Sequence, residues 1–203
     1  MTKIKLCGLS RRCDIECANA LCPDYIGFVF AKKSKRYVSP EKAKELKSLL
    51  SPDIKAVGVF VDEPIENIAK LLSDNIIDLA QLHGSEDEKY IARLKALTDK
   101  PVIKAFRIKS ENDITSAKNS KADFILLDSG AGTGRSFNWN LLENIDRPYF
   151  LAGGLYPENV ADAINKLSPF AVDVSSGIET DNLKDKNKMT AFVKAVRKEA
   201  NND

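Results

Sequence analysis

The chain has 203 residues, 43% of them apolar, with 31 Lys and Arg against 29 Asp and Glu and a net charge of +2. That length buries a sizeable core in one domain or two. The interspersed charge excludes an extended nucleic-acid or anionic-membrane surface, Lys32-Lys33-Ser34-Lys35-Arg36 being the nearest thing to a basic run.

No apolar stretch nears the ~20 residues needed to cross a bilayer. The N-terminus carries Lys3 and Lys5 straight into an alternating segment, without the h-region or cleavage site of a signal peptide. The expectation is a cytoplasmic protein with no membrane and no nucleic-acid partner.

The first strand-like run covers residues 3–7 and ends in Cys7-Gly8. Cys13, Cys17 and Cys22 follow. Their spacing, C-x5-C-x3-C-x4-C, lacks the C-x2-C pair of most zinc and iron–sulfur sites, so no metal is expected. Cys13 and Cys17 lie four apart on one face of a helix, and all three read as inert, part-buried thiols. A second run covers 25–30, and the loop after it carries Arg36. Ser39-Pro40-Glu41 then starts a helix, with Ser as N-cap, Pro at the first helical position and Leu46, Leu49 and Leu50 on one face.

A third run covers 54–61 and stops at Asp62. Pro64-Ile65 starts a helix whose apolar face holds Ile68, Leu71 and Leu72. The fourth run, 77–82, leads through Gln81-Leu82-His83-Gly84. Ser85-Glu86-Asp87-Glu88 reads as a capping box before Ile91, Leu94 and Leu97. The fifth, 102–108, carries Lys104 and Arg107. The sixth, 123–128, ends in Asp128 and enters Ser129-Gly130-Ala131-Gly132-Thr133-Gly134-Arg135. The segments after the fifth and sixth runs are weakly patterned. The seventh run, 149–152, enters Gly153-Gly154, and the eighth, 171–174, enters Ser175-Ser176-Gly177. Amphipathic helices follow them over 157–167 and 184–200.

Eight strand–helix units at intervals of about 22 to 29 residues are the signature of a (β/α)8 TIM barrel, a parallel sheet with outer helices. No composition shift or linker divides it, so residues 1–203 are read as one domain. The alternative is an open doubly wound sheet, against which stands the lack of a G-x-G-x-x-G after the first strand.

Barrel chemistry sits at the C-terminal strand ends and the loops beyond them. The two small-residue turns point to a phosphate held by Gly153, Gly154, Asp173, Ser175 and Gly177, since such turns leave backbone N–H groups open to an anion. Ordinary tight turns are the alternative. Cys7 and Asp128 stand across the barrel mouth and could supply a general base and a general acid. Alternatively Cys7 is a small core residue and Asp128 braces its loop. His83, the only histidine, reads better as a wall residue than as a catalyst. Residues 130–135, with Gly130, Gly132 and Gly134, look like a lid, or a plain surface loop.

Together these residues resemble the phosphoribosylanthranilate isomerase family of tryptophan biosynthesis, over nearly the whole chain. The resemblance runs through Lys5-Leu6-Cys7-Gly8-Leu9, Gly27-Phe28-Val29-Phe30 and Ser34-Lys35-Arg36-Tyr37-Val38-Ser39-Pro40. It continues in Gly58-Val59-Phe60-Val61, Gln81-Leu82-His83-Gly84, and Gly132-Thr133-Gly134 with Trp139 after it. It closes with Leu151-Ala152-Gly153-Gly154-Leu155, Asn159-Val160 and Val172-Asp173-Val174-Ser175-Ser176-Gly177-Ile178-Glu179. Two positions depart from the family pattern: Ala131 replaces a glycine, and Asn138 stands where Asp precedes Trp.

The resemblance implies a cofactor-free Amadori isomerase, monomeric or homodimeric, acting on a phosphorylated aminosugar. Cys7 would be the base, Asp128 the acid and Arg36 the holder of the anthranilate carboxylate. Gln81, His83, Gly132 and Gly134 would lie near substrate. Ring opening needs a proton on the furanose oxygen, and the resulting iminium acidifies the hydrogen on carbon 2. One acid and one base suffice, because the substrate nitrogen is the electron sink. A free thiol titrates near pH 8.5 and a free Asp near 3.9, so Asp128 must hold its proton ~2–3 pH units above a free one.

Rival readings are a metal-dependent ribulose-phosphate epimerase, disfavoured by the single histidine, and indoleglycerol-phosphate synthase, which is longer and uses Lys and Glu. A non-catalytic phosphosugar-binding barrel and a cysteine-based metal protein are the others.

Overall fold

The structure, a computed structural model, describes residues 1–128, 142 and 145–199. The strands are β1 (Lys3–Cys7), β2 (Tyr25–Val29), β3 (Lys55–Phe60), β4 (Leu79–Leu82), β5 (Val102–Arg107), β6 (Phe124–Asp128), β7 (Tyr149–Ala152) and β8 (Ala171–Val174). They pair in sequence order, all parallel, and β8 returns to β1, closing the barrel. In the closing register, Lys5 lies opposite Asp173. The helices are α1 (Arg12–Leu21), α2 (Pro40–Ser48), α3 (Ile65–Ser73), α4 (Glu88–Lys95), α5 (Glu111–Asn119), α6 (Val160–Leu167) and α7 (Lys186–Glu199).

Side chains alternate across the sheet, as the pleat requires. Tyr25, Val57, Leu79, Ile103, Leu126, Phe150 and Ala171 pack together inside the barrel. The residues between them, such as Ile26, Ala56, Ala80, Val102, Ile125, Leu151 and Val172, join the larger core under the helices. At the closed end Phe124, Phe150 and Phe170 pack ring against ring. On β1 this parity turns Lys3, Lys5 and Cys7 inward, while Ile4 and Leu6 join the outer core. A lysine therefore sits in the middle of a strand, fully buried.

Ser39 caps α2, its hydroxyl accepting from Lys42 N at 3.2 Å, with Pro40 in the first turn. Before α4 the expected capping box is absent. Asp87 is the N-cap and accepts from Tyr90 N at 2.8 Å. Glu86 is instead buried and accepts from the backbone N–H of Asp62 and Gly84 and from Lys104 Nζ, each at 2.8 Å. Ser85 donates to Asp62 through both N–H and hydroxyl. Lys104 accordingly faces out of the barrel and braces the loop after β4. Leu49 and Leu97, expected on buried faces, are among the exposed hydrophobics because both fall just past their helix ends.

The weakly patterned stretch after β5 does form α5. Ser110 and Asp113 cap it reciprocally, and Ile114 and Ala117 are its buried anchors. The last predicted helix begins later than expected. Ser176–Ile178 form a 3₁₀ turn, and Glu179–Thr180 (β9) pairs with Leu183–Lys184 (β10) as a small antiparallel ribbon before α7. Cys17 is buried, whereas Cys13 and Cys22 are exposed rather than part-buried. Among the described residues no group of three or more His, Cys, Asp or Glu could hold a metal ion, and no helix is long and apolar enough to cross a membrane.

Candidate active site

The C-terminal strand ends surround a cavity of about 430 Å³. Cys7, Arg36, Gln81, His83 and Asp128 line it, and on its other side stand Gly153, Gly154, Asp173 and Ser175. A separate cavity of about 550 Å³, outside the barrel near α2 and α3, shares no residue with it. Gly132 and Gly134, with the rest of 130–135, Asn138 and Trp139, lie outside the described residues.

Cys7 is the last residue of β1, turned inward. Gly27 on β2 makes room for it: a Cβ at Gly27 would stand 2.6 Å from the Cys7 sulfur. Burial pushes the thiol up from its ordinary range; Lys5 pulls it down, Asp173 pushes it further up and Lys184 pulls it down, and the balance is upward. The cations do not overcome burial, because the same strand ends that bring them also remove water.

Asp128 ends β6 and is partly exposed. His83 Nε2 lies 3.6 Å from its Oδ2, and Arg107 is its register partner on β5 and lines the same cavity. His83 is therefore a wall residue, but one aimed at the candidate acid. Gln81 Nε2 stands 3.0 Å from His83 Nδ1. With the amide as donor, the neutral ring carries its proton on Nε2, facing Asp128.

Arg36 reaches over the mouth from the loop after β2. Its stem crosses Gly8, which has φ of +82°, and a Cβ there would meet Arg36 Cδ at 2.5 Å. The guanidinium grips Glu179 in two parallel bonds, Nε to Oε1 and Nη2 to Oε2, both 2.6 Å. Glu179 also takes a bond of 2.5 Å from the buried Lys184. Burial raises the Glu179 carboxyl, but Arg36 and Lys184 outweigh this and hold it below the usual carboxylate range. A carboxylate with a depressed folded-state pKa contributes stability above its unfolded pKa, and loses that contribution as pH falls through the folded value. Glu179→Gln should therefore be less stable than wild type at pH 7, with the gap closing toward pH 3. Denaturant melts at the two pH values measure this, and an equal gap at both would refute it.

The turn after β7 has two left-handed glycines, Gly153 at φ +91° and Gly154 at φ +64°. Asn159 fixes it, donating to Gly154 O and accepting from Tyr156 N, both at 2.9 Å. The turn after β8 is fixed by Lys184, whose Nζ donates to Ser175 O at 2.8 Å. Two of the expected phosphate residues have other ties. Asp173 faces the cavity, but its Oδ2 takes Lys5 Nζ at 2.7 Å, and a carboxylate repels an anion. Gly177 is glycine for an internal reason: a Cβ there would lie 1.9 Å from Leu155 O. That contact holds the β7 and β8 turns together.

Sequence reasoning missed Lys5, Glu179 and Lys184 as parts of this site. With Arg36 and Asp173 they make three cations against two carboxylates, a net positive wall suited to an anionic ligand. Their partners lie more than 140 residues away in the chain for both Lys5 and Arg36, so no local pattern announces them.

Residues 4–195 match the family described as N-(5'phosphoribosyl)anthranilate (PRA) isomerase. The chain belongs to this family. A relative from Endomicrobium trichonymphae named N-(5'-phosphoribosyl)anthranilate isomerase is 49% identical over 202 residues, covering 97% of this chain and 99% of that protein. The solved phosphoribosyl anthranilate isomerase from Thermotoga maritima superposes with a TM-score of 0.90 at 37% identity, covering 98% of this chain and 100% of the other. Another isomerase structure, solved in complex with reduced 1-(o-carboxyphenylamino)-1-deoxyribulose 5-phosphate, gives 0.88 at 37% identity and the same coverage. The phosphoribosylanthranilate isomerase fold thus accounts for the barrel, and the strand-end cavity is where its chemistry belongs.

Proposed function

We propose that this chain converts N-(5'-phosphoribosyl)anthranilate into 1-(2-carboxyphenylamino)-1-deoxyribulose 5-phosphate in tryptophan biosynthesis, with Cys7 as general base and Asp128 as general acid. The reading includes a cytoplasmic location and no cofactor. One observation carries the assignment of roles: a thiol on β1 and a carboxyl group on β6 face one cavity whose other wall is a pair of small-residue turns.

In this reading protonated Asp128 delivers its proton to the furanose oxygen and the ring opens to the iminium. The Cys7 thiolate then takes the proton from carbon 2, giving the enolamine. A proton moves from the carbon 2 hydroxyl to carbon 1, and the ketone results. The substrate's nitrogen accepts the electron pair, so the chemistry calls for no lysine adduct or pyridoxal phosphate. Arg36 gives Glu179 two of its five N–H donors, which leaves three for the anthranilate carboxylate. The loss of phosphoribosylanthranilate fluorescence on adding purified protein tests the activity; unchanged fluorescence at high protein concentration would sink it.

The two ends of the site should separate in mutant kinetics. Arg36→Met should weaken substrate binding by about 2–4 kcal/mol, because the buried carboxylate loses a forked partner. Lys184 remains to neutralise Glu179 in that variant. Gly154→Val should block the phosphate instead, since a β-branched residue resists φ near +64°. Sulfate should bind the Arg36 variant about as well as wild type and the Gly154 variant poorly. Calorimetry showing the reverse would mean that the two ends are assigned the wrong way round.

A further inference from the structure

Lys5 is among the largest fully buried side chains of the described residues, and its ammonium lies inside the barrel beneath the proposed base. It shares β1 with Cys7 two residues on, so both side chains project to the same face. Across the closing seam of the barrel, Asp173 is its register partner on β8, bonded at 2.7 Å. Asp173 itself lines the cavity with Cys7, and its second oxygen, Oδ1, is buried with no hydrogen-bond partner. The pair is thus incompletely satisfied on the carboxylate side, and the sulfur sits beside both charges.

We propose that Lys5 and Asp173 are positioning residues that set the charge state of Cys7, Lys5 favouring the thiolate and Asp173 opposing it by holding the ammonium and adding negative charge. The proposal rests on Cys7 being the base. The geometry explains why a full charge is kept in the barrel interior, where a buried pair is seldom a net gain in stability over an apolar one. A buried thiol would otherwise stay protonated. With Lys5 beneath it, the thiolate gains a cation on the side away from substrate, and the proton it gives up leaves through the open mouth.

Other charged groups also face the sulfur. Lys184, from the ribbon after β8, pulls the thiol down, and Arg36, from the loop after β2, feels the thiolate. Both are tied to Glu179. His83 on the β4 end, Arg107 on β5 and Asp128 on β6 line the far side of the same cavity. Lys5, by contrast, shares the strand of Cys7, and Asp173 is its ion-pair partner. Burial lowers Lys5, yet Asp173 and Cys7 outweigh this and hold it above the ordinary lysine range.

The test is the pH dependence of Cys7 alkylation by iodoacetamide, read peptide by peptide by mass spectrometry so that Cys13, Cys17 and Cys22 do not interfere. Asp173→Asn should move the midpoint down by ~1 pH unit, about tenfold more thiolate at a fixed pH below it. Lys5→Met should move it up. Because Lys5→Met strands a buried carboxylate and can fail to fold, Lys5→Met/Asp173→Asn is read against Asp173→Asn, where its midpoint should lie higher. A midpoint unmoved in folded variants, or moved the same way by both substitutions, overturns the proposal. The acid limb of kcat/KM should follow the alkylation midpoint in Asp173→Asn. A midpoint that moves while the limb stays put would support the coupling and overturn Cys7 as the base.

Discussion

Cys7→Ser should lower kcat by about 10³-fold while leaving the fold intact. The hydroxyl fits the space that Gly27 leaves for the sulfur, so thermal and denaturant melts should change little. The loss is chemical. A serine hydroxyl is far less acidic than a thiol, so almost none is ionised at neutral pH, and a neutral hydroxyl is too weak a base for carbon 2. The neighbours that tune the thiol, Lys5, Asp173 and Lys184, stay in place but cannot close that gap. The measurement is single-turnover loss of substrate fluorescence, with folding checked by circular dichroism. If the serine variant keeps more than about a tenth of wild-type turnover, the base is another group.

The barrel was legible because its signal is local. Each strand run and its flanking turns lie within a few residues, and the recurrence of eight such units follows from counting. That Cys7, Asp128, His83 and the two glycine turns meet around one cavity was legible too, since they stand at the ends of barrel strands. The supporting charges were not. A lysine in mid-strand reads as a surface residue, and what makes Lys5 interior is the parity of β1 together with Asp173, which is 168 positions away. Ser85 and Glu88 fit a capping box by spacing alone, but Asp62 takes Ser85 and Asp87 caps the helix instead, while Lys104 and two backbone N–H groups hold Glu86 between them. Gly177 reads as an anion turn, whereas the contact that demands glycine is the Leu155 carbonyl. In each case a long-range partner decided between two locally reasonable roles. Asn159 is the converse: its bonds to Tyr156 and Gly154 are local, and an Asn five residues after a Gly-Gly turn carries that signal in sequence.

Asp128→Asn should be about as inactive as Cys7→Ser, yet still bind a reduced, non-reacting analogue of the product. The amide occupies the same volume at the end of β6 and can still meet His83, so the cavity keeps its shape. It has no acidic proton to give the furanose oxygen, and without ring opening the hydrogen on carbon 2 is never acidified. Binding should survive because the proposed grips lie elsewhere, at Arg36 for the carboxylate and at the β7 and β8 turns for the phosphate. The acid also needs substrate to work. Arg107 stands beside Asp128 on β5, and a positive neighbour favours its ionised form. A bound dianionic phosphate and a carboxylate reverse the local sign and favour the protonated one. Isothermal titration with the analogue should therefore show proton uptake on binding to wild type, read from the dependence of the heat on buffer ionisation. That uptake should shrink in Asp128→Asn. An Asn variant that turns over at more than about a hundredth of the wild-type rate would move the acid role to His83 or to water. Equal proton uptake in both proteins would place the protonating group somewhere other than β6.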